Sequence, residues 1–131
     1  MHQLKNSSIL VIGGTGFIGI NLVKKLLKLG SQVTCISLKK KQKKLIHKNL
    51  KYIFCNYANF SILKKKINKP YEYVVNLGGY IDHSKFFTKG RHVLDNHLFS
   101  TINLLLSLKK NKLKRYVHIG TCDEYGENIS P

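Results

Sequence analysis

Short apolar segments alternate with amphipathic ones along the chain. The apolar segments are too short for helices and predict β-strands at Ser8–Ile12, Gln32–Ser37, Lys51–Cys55, Tyr73–Leu77 and Arg115–Thr121. Strands that are mostly apolar on both sides are typical of a parallel sheet with helices on both faces. The pattern therefore predicts an α/β chain.

Segments with helical spacing lie between these strands. Phe17–Leu29 carries an apolar stripe and stops at Gly30, which suits a helix C-terminus. Further helices are predicted after Lys41, over Phe60–Ile67 and over Arg91–Lys110. The last of these has an apolar stripe on one side, formed by Val93, Leu94, Leu98, Ile102, Leu105 and Leu106. Because parallel crossovers are right-handed, this alternation predicts a doubly wound, three-layer αβα sheet (a Rossmann fold) with strand order 3-2-1-4-5, as one domain over residues 1–131.

A glycine-rich turn joins the first strand to the first helix. In this context Gly13 makes the tight turn, Gly16 leaves room for a pyrophosphate, and Gly19 lets the helix lie close to the strand. The N–H groups of the first helical turn would face the anion. The turn predicts a dinucleotide site rather than an empty glycine loop, formed by Gly13, Thr15, Gly16, Phe17, Ile18 and Gly19.

The end of the second strand bears on the choice between NAD and NADP. Dinucleotide folds usually have an Asp or Glu about 20 residues after the glycines, where it binds the ribose hydroxyls. This chain has Ser37 there, followed by Lys39 and Lys40. A carboxylate would repel a 2′-phosphate, whereas a hydroxyl and two ammonium groups would bind it. We expect NAD or NADP, with NADP slightly favoured, although the lysines also belong to a general excess.

Composition narrows the possible partners. The net charge of +17 would suit a nucleic-acid binder, but the lysines cluster at helix ends without interleaved aromatic residues. A solvated basic surface is the preferred interpretation, and no nucleic-acid partner is predicted. No apolar run approaches the roughly 18 residues of a membrane span, so we expect a cytoplasmic protein without a membrane partner. The three cysteines are widely spaced and form no C-x-x-C pair, and the six histidines show no metal-ligand spacing. We therefore predict neither a disulfide framework nor a metal site.

Four segments in order resemble the extended short-chain dehydrogenase/reductase family, specifically the NAD-dependent epimerases and dehydratases that act on nucleotide sugars. Gly13–Gly19 resembles its G-x-x-G-x-x-G, and Val74–Gly79 its fourth-strand H-L-A-A segment. Ser100–Leu105 is similar to its G-T-x-N-L-L helix segment, and Val117–Gly126 to its S-S/T-x-x-x-Y-G segment. The resemblance covers essentially the whole chain.

The resemblance implies further cofactor contacts. Leu77, Gly78 and Gly79 would pack near the nicotinamide ribose, and Asn56 would lie near the adenine. On the long helix, Asn96 or its neighbour His97 would take the place of a structural asparagine.

It also implies catalytic residues. Thr121 falls at the family's catalytic Ser/Thr, and Asp123 where dehydratases carry the acid that protonates the departing hydroxyl. A strand-end threonine and an exposed acidic loop are the plain alternatives for these two positions. The long helix with Leu98 and Leu105 resembles one that pairs across a dimer in relatives, which makes a homodimer possible, but a core-facing stripe explains these leucines equally well.

Family catalysis depends on a tyrosine base in Y-x-x-x-K, and no tyrosine of this chain has a lysine four residues on. The sequence stops at Pro131, a little before that motif is expected. The preferred interpretation is the N-terminal cofactor-binding part of an NAD(P)-dependent nucleotide-sugar epimerase or dehydratase, truncated before the substrate-binding part and inactive alone. The alternatives are a reductase of the same fold acting on a non-sugar carbonyl, and a non-catalytic NAD(P)-binding regulatory module.

Overall fold

The computed structural model describes residues 4–38, 45–79 and 86–120. Its strands are β1 (Ser8–Ile12), β2 (Gln32–Ser37), β3 (Leu50–Phe54), β4 (Tyr73–Asn76) and β5 (Arg115–His118). Its helices are α1 (Phe17–Lys28), α2 (Phe60–Lys66), α3 (Phe86–Leu94), a π-helical turn (Asp95–Phe99) and α4 (Ser100–Ser107), followed by a short 3₁₀ turn (Lys110–Lys112).

The five strands form one parallel sheet in the order β3-β2-β1-β4-β5. This order confirms the predicted one. The last residues of β1 and β4, Ile12 and Asn76, lie side by side, and Asn76 pairs in turn with His118 of β5. The carboxyl ends of the central strands therefore meet at one edge, where an open α/β sheet binds its ligands.

Helices cover both faces of the sheet. On one face α1 packs on the sheet, in a core that contains Ile9, Val11, Val23, Leu26, Leu27, Val33 and Cys35. On the other face α2 and α4 contribute Leu63 and Leu104 to a core with Leu10, Ile12, Ile36, Ile53 and Val74. Alternate residues of β1 thus enter opposite cores, so the three-layer architecture that the apolar strands predicted is confirmed.

The C-terminus of α1 is built as the sequence predicted. Gly30 has a φ of 80°, a left-handed conformation that L side chains rarely adopt. Its N–H donates to the carbonyl of Leu27, and the N–H of Ser31 donates to that of Leu26. Glycine here lets the chain turn directly from α1 into β2.

Some predicted boundaries are wrong. β4 ends at Asn76 rather than Leu77 because the N–H of Gly78 bonds the Asn76 side chain instead of extending the sheet. β5 ends at His118, since its neighbour β4 has already turned away, and Thr121 lies outside the described residues. Residues 45–49 form no helix. They make a turn into β3, and 41–44 are outside the described part.

The predicted long helix differs in its start, its end and its buried face. It is described from Phe86 and ends at Ser107, whereas Leu98, Ile102, Leu105 and Leu106 of the predicted stripe are all exposed. Ser100, Leu104 and Ser107 are buried instead. The π-helical turn accommodates an extra residue and shifts the helix face, so a regular 3.6-residue count through it selects the wrong side. A core-facing interpretation of those four residues is therefore wrong.

Within 4–38, 45–79 and 86–120, every helix is too short or too polar to cross a bilayer. In the same ranges no cluster of three or more histidine, cysteine or acidic side chains could hold a metal ion.

Candidate functional site

The glycine turn holds α1 tightly against the end of β1. Gly13 has a φ of 75°, and its N–H donates to the carbonyl of Ile36 at 2.9 Å. A Cβ at Gly19 would collide with the Gly13 carbonyl oxygen and lie 2.7 Å from the Gly14 Cα. Gly14, which the sequence analysis assigned no role, faces β2, where a Cβ would lie 2.6 Å from the Cys35 Sγ. These glycines are required by the turn and by packing.

Gly16 is different because its backbone is unstrained and a Cβ there would make a single tight contact rather than a collision. It is the N-cap of α1 with a φ of −72° and a ψ of 176°, which any residue adopts. A Cβ would approach only the Gly13 carbonyl oxygen, at 3.3 Å. The helix also has no side-chain cap and no acidic residue in its first turn. Helix geometry leaves the first N–H groups without intrahelical acceptors, so this end of α1 suits an anion.

A cavity of about 570 Å³ opens in front of this turn, at the carboxyl edge of the sheet. Ten of the residues predicted to bind the cofactor line it: Gly13, Thr15, Gly16, Phe17, Ile18, Gly19, Ser37, Leu77, Gly78 and Gly79. We call this space the glycine-lined cavity. Phe17 and Ile18 are largely exposed at its mouth, with 88 % and 63 % of their surface accessible.

The cavity also has a wall that the sequence analysis missed. It consists of Ile12, Ile36, Leu38, Tyr57 and Ile119. Tyr57 follows β3 and reaches the Gly78 backbone, where a Cβ would collide with its hydroxyl. Burial raises the pKa of Tyr57, while a hydrogen bond with Ser100 lowers it. The only sequence signal for Tyr57 was its position at the end of a strand beside Asn56.

A hydroxyl pair occupies the end of β2 where an acid is usual. The Thr15 Oγ1 and Ser37 Oγ atoms lie 2.6 Å apart, and Ser37 is buried with 6 % of its surface accessible. The pair links the glycine turn to β2. Lys39 and Lys40 are outside the described residues.

Several predicted site residues are not brought to the cavity. The Asn56 Oδ1 accepts a hydrogen bond from the Ala58 N–H at 3.0 Å, and the residue is exposed. The Asn96 Nδ2 donates to the His92 carbonyl at 2.8 Å, one turn back along the helix. Neither asparagine lines the glycine-lined cavity. Thr121 and Asp123 lie outside the described residues.

A second cavity of about 360 Å³ adjoins the first and shares Gly78, Gly79 and Ile119 with it. Its other walls are His97, Leu98, Thr101, His118 and Gly120. Of the two neighbours Asn96 and His97, it is therefore His97 that reaches this edge of the sheet, together with Leu98. The two cavities form neighbouring spaces above β1, β4 and β5.

Sheet order, glycine turn and edge cavity together define a Rossmann-type α/β domain. The chain belongs to the NAD dependent epimerase/dehydratase family, whose sequence profile matches residues 9–131. This confirms the family resemblance inferred from the four segments.

Individual relatives agree with this assignment. The chain is 25% identical to a dTDP-D-glucose 4,6-dehydratase of Dictyostelium discoideum, over 92% of this chain and 30% of the relative. The enzyme WbmF of Bordetella bronchiseptica, solved in complex with NAD+, matches with a TM-score of 0.79 at 26% identity, over 92% of this chain and 38% of WbmF. A UDP-N-acetylglucosamine 4-epimerase of Methanobrevibacter ruminantium M1, solved with UDP-N-acetylmuramic acid, matches with a TM-score of 0.80 at 25% identity. The match covers 95% of this chain and 41% of the epimerase. The chain thus spans less than half the length of each.

Proposed function

We propose that this chain is the cofactor-binding part of an NAD(P)-dependent nucleotide-sugar epimerase or dehydratase. The observation that carries the proposal is Gly16. Its backbone conformation suits any residue and a Cβ would make one tight contact, yet it lacks a side chain where an uncapped helix N-terminus meets a large cavity. Close approach of a phosphate is a physical reason for a glycine at such a position.

The lining fits a dinucleotide along its length. A diphosphate would accept hydrogen bonds from the first N–H groups of α1, beginning at Phe17, with Gly13 and Gly16 leaving space. Gly78 and Gly79 would leave room for the nicotinamide side, and Leu77 would pack against it. When bound, the nicotinamide accepts and returns a hydride.

The relatives support nucleotide sugars as the substrate class. One is described as a dTDP-D-glucose 4,6-dehydratase and another as a UDP-N-acetylglucosamine 4-epimerase. We infer that the whole protein acts on a nucleoside-diphosphate sugar, with Thr121 hydrogen-bonding the reacting sugar oxygen and Asp123 acting as an acid in a dehydratase. These two roles rest on the family resemblance.

We further propose NADP as the slightly favoured form of the cofactor. The site has the Ser37 hydroxyl where a carboxylate would hold the ribose of NAD, and Leu38, the next residue, is also uncharged. A 2′-phosphate would meet no repulsion from these residues. The net charge of +17 also favours the more highly charged cofactor.

Calorimetric titration with NADH and NADPH tests the cofactor proposal. We expect wild-type protein to bind and Gly16→Ala to bind at least about tenfold more weakly, a loss of about 1.4 kcal/mol. We expect the variant to melt close to wild type, because its backbone conformation suits alanine and the Gly13 carbonyl oxygen has to give by only a few tenths of an ångström. Ser61→Ala, an exposed change on α2, is the matched control and should bind normally. Failure of folded wild-type protein to bind either dinucleotide at millimolar concentration would refute the proposal.

A homodimer is proposed through the exposed side of α4. Ile102, Leu105 and Leu106 follow an i, i+3, i+4 spacing, so they share one side of α4, with 39–62 % of their surface accessible. The stripe carries no charge, in a chain with 23 lysines and arginines, so it suits a second copy of itself. Sedimentation of wild type and of Leu106→Lys would test this. We expect a dimer that the lysine disrupts, and a wild-type monomer at all concentrations would contradict it.

A further inference from the structure

Asn76 is a completely buried polar residue at the centre of the site. It ends β4 between β1 and β5, and none of its surface is accessible. Its side chain meets three groups: the backbone N–H of Gly78, the Tyr116 hydroxyl and the His118 ring. A buried amide is stable only when its donors and acceptor are matched, so these contacts determine its orientation.

The Gly78 contact fixes which side of the amide is the oxygen. A backbone N–H can only donate, and it lies 3.0 Å from the Asn76 Oδ1. The Nδ2 therefore lies on the other side, 3.1 Å from the His118 Nδ1 and 3.4 Å from the Tyr116 hydroxyl. An amide nitrogen donates and does not accept.

The state of His118 follows from that orientation. Because the Asn76 Nδ2 donates, the His118 Nδ1 has to accept, and a neutral imidazole then carries its proton on Nε2. The Tyr116 hydroxyl, 3.5 Å from the same Nδ1, is compatible with this state. Burial is the main cause that raises the pKa of Tyr116, so this hydroxyl keeps its proton and can itself donate.

We propose that Asn76 is a positioning residue that holds His118 as the Nε2–H tautomer, so that the second cavity offers a neutral hydrogen-bond donor to an acceptor oxygen of the substrate. His118 is exposed and lines that cavity beside Thr101. The Asn76 side chain also accepts the hydrogen bond from the Gly78 N–H, and Gly78 lines both cavities. One buried side chain therefore positions a wall of the glycine-lined cavity and the hydrogen-bonding group of the second cavity. The substrate half of this proposal rests on the proposed function, whereas the tautomer half does not.

Long-range proton–nitrogen NMR of histidine-labelled protein at alkaline pH, where imidazole rings are neutral, measures the tautomer directly. Loss of one signal in His118→Gln assigns the resonance. We expect the Nε2–H form alone in wild type, in contrast to the tautomer mixture of a free histidine. In Asn76→Asp a carboxylate accepts where the amide donated, so the proton should move to Nδ1. Tyr116→Phe, which keeps Asn76, should retain the wild-type tautomer.

A tautomer mixture or an Nδ1–H form in wild type overturns the proposal, even if Asn76→Asp fails to fold. An unchanged tautomer in folded Asn76→Asp overturns it as well. For the substrate half, UDP-glucose is added to the NADH-loaded whole protein, which includes the substrate-binding part, and the His118 Nε2 signal should move. A signal that stays fixed while NADH binds overturns the substrate half alone, and loss of NADH binding is instead a failure of the proposed function.

Discussion

Replacing Gly19 by alanine tests the packing of the glycine turn. The added Cβ would collide with the Gly13 carbonyl oxygen and lie 2.7 and 2.9 Å from the Gly14 Cα and carbonyl carbon. All of these are backbone atoms, so no side chain can rotate away. The start of α1 would have to move off the turn, and dinucleotide binding would weaken with it.

Two opposing terms set the size of the effect. Alanine inside a helix is favoured over glycine by about 1 kcal/mol. Overpacking a tight contact costs about 1–3 kcal/mol, and more where the neighbours are rigid. With three backbone contacts we expect the upper end of that range and a net loss of about 2 kcal/mol. For a chain of this size that lowers Tm by about 8 °C.

Thermal melting followed by circular dichroism measures the change. Gly79→Ala is the matched control, because a Cβ there meets nothing within 4 Å. We expect its free energy of unfolding to stay within about 0.5 kcal/mol of wild type. A Gly19→Ala protein as stable as wild type would show that the close approach of α1 to the turn has been misjudged.

Three further predictions concern charge and protonation. Ser37→Asp should reduce the affinity for NADPH at least about tenfold relative to that for NADH, since a carboxylate repels the 2′-phosphate. Parallel calorimetric titrations with the two cofactors measure this, and an unchanged ratio of the two affinities would count against it. The hydrogen bond from Lys114, and after it the backbone N–H of Ser8, lowers the pKa of Glu72 from its ordinary value of 4.5. The ionised Glu72 therefore stabilises the folded state above about pH 4.5, and this contribution is lost as the pH falls through the lower pKa of the folded state. Glu72→Gln should therefore be less stable than wild type in urea at neutral pH and no less stable in strong acid, and a pH-independent difference would argue otherwise. Burial raises the pKa of Cys35 to about 12, so a disulfide reagent should label it only in denaturant, as peptide mass mapping would show; rapid labelling of native protein would contradict its burial.

Local signals predicted much of the fold and half of the site. The unit of β1, glycine turn and α1 depends on contacts within about 20 residues, so strand pattern and glycine spacing were sufficient to find it. Strand order followed from the handedness of parallel crossovers rather than from any single residue. Thr15 and Ser37 were both predicted to bind the cofactor, since the glycine turn and the end of β2 lie at one edge of the sheet, and the structure brings the two hydroxyls together.

The remainder of the site depends on tertiary contacts that carry no local signature. Tyr57 and Ile119 reach the glycine-lined cavity from the segments that follow β3 and β5. Tyr57 belongs to no motif, and the motif around Ile119 indicated no contact of that residue with the cofactor site. Asn56, the neighbour of Tyr57, was expected to lie near the adenine. Its side chain instead accepts a hydrogen bond from the Ala58 N–H within its own turn. The buried face of α4 could not be counted from periodicity because the π-helical turn changes the angular spacing.

Neither cavity has a charged residue among the described residues that line it, although the whole chain carries a net charge of +17. Two separate effects therefore act on an anionic ligand. The lysine-rich surface attracts it from a distance, and salt screens that attraction over about 10 Å. Within the site, the N–H groups of α1 and the space left by Gly13 and Gly16 would hold the proposed dinucleotide by direct hydrogen bonds and fit, which salt screens much less. Under the proposed function, surface charge would thus raise the rate of encounter, while the glycine turn would determine what binds.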